Sequence, residues 1–136
     1  MAGMLTVSDR LDIHELLALH GHLMDEGAFD RLDELFTPDF VYDVSLLGGG
    51  ELRGAAALEA AARDLGDANP IGHHVLNVIV VPAAEPDVAR VRSKGIGVYA
   101  DGTTGSVGYE DVVVRTDDGW RINHRHVLPR QRPLHR

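Results

Sequence analysis

Cysteine is missing from this chain of 136 residues. Its absence excludes disulfides, thiolate nucleophiles and cysteine-ligated zinc. Long apolar runs are missing too: none approaches the roughly 20 residues needed to cross a bilayer as a helix, so no membrane segment is expected. Basic charge is scarce, with 13 Lys and Arg against 21 Asp and Glu and a formal net charge of −8. Affinity for nucleic-acid phosphates depends on clustered Lys and Arg, so no nucleic-acid partner is expected. The amino-terminal "MAGMLTVSDR" has neither the basic stretch nor the apolar core of a secretory signal, which predicts a cytoplasmic protein. No repeat, low-complexity segment or linker divides the sequence. Its length is near the modal domain size, so residues 1–136 are expected to form one domain, with a basic tail from about 129 to 136.

Chemical motifs are absent as well. "LLGGGELRG" has glycines but no following Lys-Ser/Thr, so it is not a phosphate loop, and no serine sits in a nucleophile elbow. The eight histidines show no His-Glu-x-x-His or facial-triad spacing. His20 and His22 would diverge by about 200° on a helix and cannot chelate from one face. Neither a metal nor a cofactor is expected, which leaves acid/base chemistry by histidine and carboxylate.

The elements that are present fall in an informative order. "TVSD" offers a side-chain acceptor at Thr6 or Ser8 with an acid three residues on, a box-like helix start. The helix is expected to run to about Asp25 and stop at Gly27, with Ile13, Leu16, Leu17, His20 and Met24 as its buried stripe. A short second helix, "FDRLDELF", is expected over about 29–36 and ended by Pro38. "DFVYDVS" has strand composition, followed by a glycine-rich turn, a short returning strand and an alanine-rich helix ending near Gly66. From Asn69-Pro70 onward the chain reads as strands: "IGHHVLNVIVVP", "DVARVRSKGIGVYA", "GSVGYEDVVVRT" and "WRINHRHVL", with hairpin turns at Asp101-Gly102 and Asp118-Gly119. Helices first and a meander after predict an α+β fold in which helices pack on one face of a curved, mostly antiparallel sheet. Gly95, Gly97, Gly105 and Gly108 are candidate bulge sites.

Polar residues interrupt the expected interior in three places. Asp25 closes the first helix at the edge of the buried stripe that includes His20. His73 and His74 open a strand and must face opposite ways. Val75, Asn77 and Ile79 share the face of His73, whereas Leu76, Val78 and Val80 share that of His74, and both sets are too apolar to choose between. In the last strand Trp120 and Ile122 mark an inward face that also carries His124 and His126. Arg125 reaches that face only if the strand bulges.

Three stretches, "DRLDIHELLALHGHLMDEGAFDRLDELFTPDFVYDV", "GHHVLNVIV" and "DGWRINHRHV", resemble the SnoaL-like family of the nuclear-transport-factor-2-like superfamily. That group includes polyketide cyclases, scytalone dehydratase, a dehydrochlorinase and ketosteroid isomerase. The resemblance implies a cone-shaped α+β barrel with one deep, largely apolar pocket. It implies an Asp25–His73 dyad, in which the carboxylate fixes the imidazole tautomer and stabilises its protonated form, so that His73 removes a proton. Asp43 matches the isomerase base, and His20 stands where that enzyme has a tyrosine donor. Tyr42 matches a pocket aromatic, and Arg125 matches a dehydrochlorinase arginine. His20, Tyr42, Asp43, Asn77, His124 and Arg125 are therefore the expected substrate-binding residues. The expected function is a cofactor-independent lyase, isomerase or cyclase acting on a bulky apolar molecule of polyketide or steroid type, in a homodimer. The alternative is a non-catalytic small-molecule-binding or dimeric interaction module of the same fold.

Overall fold

The computed structural model describes residues 4–135, so Arg136, at the end of the expected tail, lies outside the described residues. The chain begins with helix α1 (Val7–Glu26), then a 3₁₀ segment (Phe29–Glu34), strands β1 (Phe36–Val44) and β2 (Gly50–Arg53), and helix α2 (Ala55–Leu65). Four longer strands follow: β3 (Gly72–Pro82), β4 (Val88–Val98), β5 (Thr104–Thr116) and β6 (Gly119–Pro129). They form one six-stranded sheet in the order β2-β1-β6-β5-β4-β3, antiparallel except for the β1–β6 pair. The sheet is curved and open, and the helices pack against it in the cone-shaped α+β arrangement expected.

Local chemistry sets the ends of α1. Thr6 accepts from the Asp9 backbone and Asp9 accepts from the Thr6 backbone, a reciprocal cap that satisfies two helix-end donors. Asp9 also takes hydrogen bonds from Arg115 and from the Trp120 indole, which ties the start of α1 to the far end of the sheet. At the other end Gly27 adopts φ 63°, a left-handed stop that glycine enters without a Cβ penalty. The buried positions of α1 are Asp9, Ile13, Leu16, Leu17, His20, Gly21 and Leu23. Leu23 takes the place expected for Met24, which is only partly buried.

Two expectations about elements need correction. Phe36 belongs to β1, not to a helix, and Pro38 lies within that strand. Pairing to β6 is interrupted between Phe36 and Val41, so the proline removes no ladder bond that the sheet needs. The four candidate glycines make no bulge, because β4 and β5 pair residue for residue from Val88↔Val114 to Val98↔Thr104. The register shifts occur elsewhere, between Leu76 and Ile79 in β3 and between Ile122 and His124 in β6.

Burial grades along the strands. At one end the inner face is closed, with Ala89, Val91, Val113, Trp120 and Ile122 at most 4% exposed. At the other end inner-face residues such as His73, Val75 and Val107 are only partly covered. The cone therefore opens at the end where α1 finishes and β3 begins. Among the described residues, no helix is long and apolar enough to cross a membrane.

Candidate active site

Asp25 and His73 meet at that mouth. Asp25 Oδ1 accepts from the His73 backbone N–H at 2.9 Å and lies 2.6 Å from His73 Nδ1. One carboxylate oxygen thus fixes both the strand and the ring attached to it. With Nδ1–H donated to Asp25, the lone pair of the neutral imidazole sits on Nε2, and the side chain keeps 24% of its surface exposed. The approach depends on Gly21. A Cβ there would stand 2.5 Å from the His73 carbonyl oxygen, so any larger residue would push α1 off β3.

Deeper in, His20 is 3% exposed and its Nε2 lies 3.2 Å from the Tyr42 hydroxyl. Burial, then the charges of Arg125 and His73, hold the His20 pKa well below its ordinary value, so the ring is neutral. Burial is the main force raising the Tyr42 pKa, so the phenol stays protonated. The positive charge of Arg125 acts on the Tyr42 phenol as well, opposing the rise in its pKa.

Arg125 is inside. Its Nε and an Nη bond the two Asp111 carboxylate oxygens at 2.8 and 2.9 Å, and both side chains are almost fully buried. Burial opposes the arginine charge, but Asp111 more than offsets it and the net direction of the Arg125 pKa is up. The guanidinium also stacks on Tyr109, 4.1 Å from the ring centre. Neither Asp111 nor Tyr109 was among the residues picked from sequence, although "YEDV" alternates both onto the face of Val113, which is fully buried.

The β6 bulge explains why Arg125 is inside. Ile122 opposes Val113 and His124 opposes Val112, so two steps on β6 match one on β5 and the strand's facing is inverted after Asn123. Asn123 secures the distortion by donating to Thr37 and Asp39 in the interrupted stretch of β1. His124 and His126 consequently occupy the outer face, which corrects the expectation that His124 lines the pocket. A bulge in β3 displaces Asn77 in the same way. Its φ of 57° places it in the left-handed region, its side chain is exposed, and Val78 and Val80 take the inward positions after Val75. Asp43 is the third correction. It points outward from β1, accepts from the Ser45 backbone and hydroxyl, and lies 3.9 Å from His126.

The structure therefore brings together Asp25, His73, His20, Tyr42 and Arg125, adds Asp111 and Tyr109, and removes Asp43, Asn77 and His124. A surface cavity of about 550 Å³ lies against α1 near Asp12, Glu15, His22 and Asp118, and the dyad does not line it. Among the described residues, no three His, Asp or Glu side chains are grouped to hold a metal ion.

Residues 5–126 match the model of the SnoaL-like domain. The chain belongs to the SnoaL-like family. An uncharacterized Mycobacterium tuberculosis protein, Rv2910c, is 33% identical over 129 residues, covering 92% of this chain and 88% of that one. A candidate aromatic ring hydroxylase from Novosphingobium aromaticivorans is 27% identical with a TM-score of 0.75, covering 95% and 94% of the two chains. A scytalone dehydratase-like protein from the same organism has a TM-score of 0.69 at 20% identity over 93% and 89%, a likeness of fold. Cyclases, dehydratases and isomerases all occur in this SnoaL-like family.

Proposed function

We propose that this SnoaL-like protein is a cofactor-independent acid/base enzyme, a lyase, isomerase or cyclase, acting on a bulky apolar small molecule of polyketide or steroid type. The observation that carries this reading is the 2.6 Å Asp25–His73 contact at the mouth of the cone. His73 Nε2 takes a proton from an activated C–H bond, and Asp25 stabilises the imidazolium that forms. The fully buried Arg125–Asp111 pair lends the interior little net charge, which suits a neutral substrate. The reading includes a cytoplasmic location and a homodimer. Leu76, Ile79, Val81 and Ile96 are more than a third exposed on the outer sheet face, an apolar patch suited to burial by a second copy.

The test needs no knowledge of the natural substrate. In D2O, the wild-type protein should accelerate deuterium uptake next to the carbonyl of a bulky apolar ketone such as 2-tetralone, read by proton NMR. His73→Ala and Asp25→Asn should each lower that rate by about 100-fold or more. Exchange undiminished in both variants would sink the dyad. A ketone that binds all three proteins without exchanging in any of them would instead mark a binding module.

A further inference from the structure

Proton abstraction beside a carbonyl moves negative charge onto oxygen, and a site for it needs a hydrogen-bond donor at that oxygen. The expected donors do not serve. His124 lies on the outer face, and the Tyr42 hydroxyl is committed to His20. His20 itself is almost fully buried.

We propose that Tyr109 is the oxygen-binding residue of the site, with its phenol donating to the developing oxyanion of a carbonyl substrate. This rests on the proton-abstraction reading above and deepens it. Tyr109 starts on β5, but its ring reaches across β4 and lies on Gly95: a Cβ there would be 2.5 Å from Tyr109 Cε2 and 2.7 Å from the hydroxyl oxygen. Gly95 pairs with Val75 of β3, and His73 is the next inner-face residue along that strand. The phenol is thus delivered to the floor of the mouth, one pleat from the proposed base. It retains 8% exposure, more than His20 or Arg125. Arg125 against the ring face supplies positive charge, and Asp111 holds that guanidinium in place. Burial raises the Tyr109 pKa, so the group remains a donor.

In the step, His73 Nε2 takes the C–H proton, the released pair forms the new C=C bond, and the carbonyl π pair moves onto oxygen. Tyr109 keeps its proton and hydrogen-bonds that oxygen. Nothing is oxidised or reduced.

The probe is 2-naphthol, a flat apolar molecule whose oxyanion resembles an enolate and absorbs at longer wavelength than the neutral form. The wild-type protein should bind it with the oxyanion spectrum at a pH where the free probe is neutral. Tyr109→Phe, which removes only the hydroxyl, should weaken binding by about tenfold and reduce that spectrum. Gly95→Ala, which displaces the ring, should do the same with the fold intact by circular dichroism. Loss of the oxyanion signal in both Tyr109→Phe and His73→Ala supports the whole scheme. Loss in His73→Ala alone overturns the Tyr109 assignment and leaves the dyad. Loss in Tyr109→Phe alone supports Tyr109 and overturns His73 as the base. No oxyanion spectrum with the wild-type protein, or none of these losses, overturns the proposal.

Discussion

His20 is 3% exposed, and its pKa lies well below the ordinary value of 6.5 because charging it would mean burying a cation beside Arg125 and His73. An imidazole harder to protonate when folded than when unfolded stabilises the fold fully only above the unfolded pKa. The stability it contributes is lost as pH falls from there toward the folded value. Urea titrations should therefore show stability declining below about pH 6.5, and His20→Gln, which can still meet the Tyr42 hydroxyl, should flatten that part of the profile. The Arg125–Asp111 pair makes a separate prediction. Asp111→Ala leaves a buried guanidinium without its counter-charge and should cost about 3–5 kcal/mol, whereas Arg125→Met with Asp111→Leu should recover much of that loss. Urea midpoints would show it, and equal instability of the single and double variants would count against an electrostatic origin. Asp25, His73 and Arg125 were legible through short motifs matching a family pattern. Asp111 was not, because a carboxylate inside a strand reads as solvated until its partner is known, and that partner was itself expected on the other face.

Between α1 and β3 the decisive distance is backbone to backbone. Gly21 lets the helix approach the His73 carbonyl so closely that even a methyl group would collide. Gly21→Ala should therefore cost about 1–3 kcal/mol through overpacking. It should also separate Asp25 from His73, seen as loss of a downfield imidazole Nδ1 proton resonance. A stable Gly21→Ala protein that retained that resonance would show that the helix is free to shift along the strand. The helix caps, the hairpin turns and the order of elements were readable because each depends on neighbours in sequence. The facing of β3 and β6 was not. In β3 both sets of alternate residues looked apolar because the strand uses one set before Asn77 and the other after it. Glycines drew attention as bulge sites, yet the distortions fall at Asn77, which tolerates a left-handed backbone, and at Asn123, whose side chain bonds the break in β1.

Across the whole molecule, the outer sheet face presents Ile79 and Val81 of β3 beside Arg92 and Arg90 of β4, with Glu110, His126 and Asp43 further across the sheet. A two-fold axis through such a face can bury the apolar edge and set basic residues of one copy against acidic residues of the other. Sedimentation should give twice the chain mass, and Ile79→Asp with Val81→Asp should give a monomer. A wild-type monomer at micromolar concentration would exclude the homodimer. The Asn123 bulge also has a genetic meaning. It acts as a one-residue frameshift in a code of period two, written across the end of the chain. Losing that single codon would remove only the extra residue and leave Ile122 and Arg125 inward and His124 outward. Laid into the ladder as an ordinary pleat, by contrast, Asn123 would send His124 and His126 into the cone and turn Arg125 out to solvent, stranding Asp111 inside. In this protein the choice of which residue is left out of the ladder carries as much information about the site as the identity of any residue in the strand.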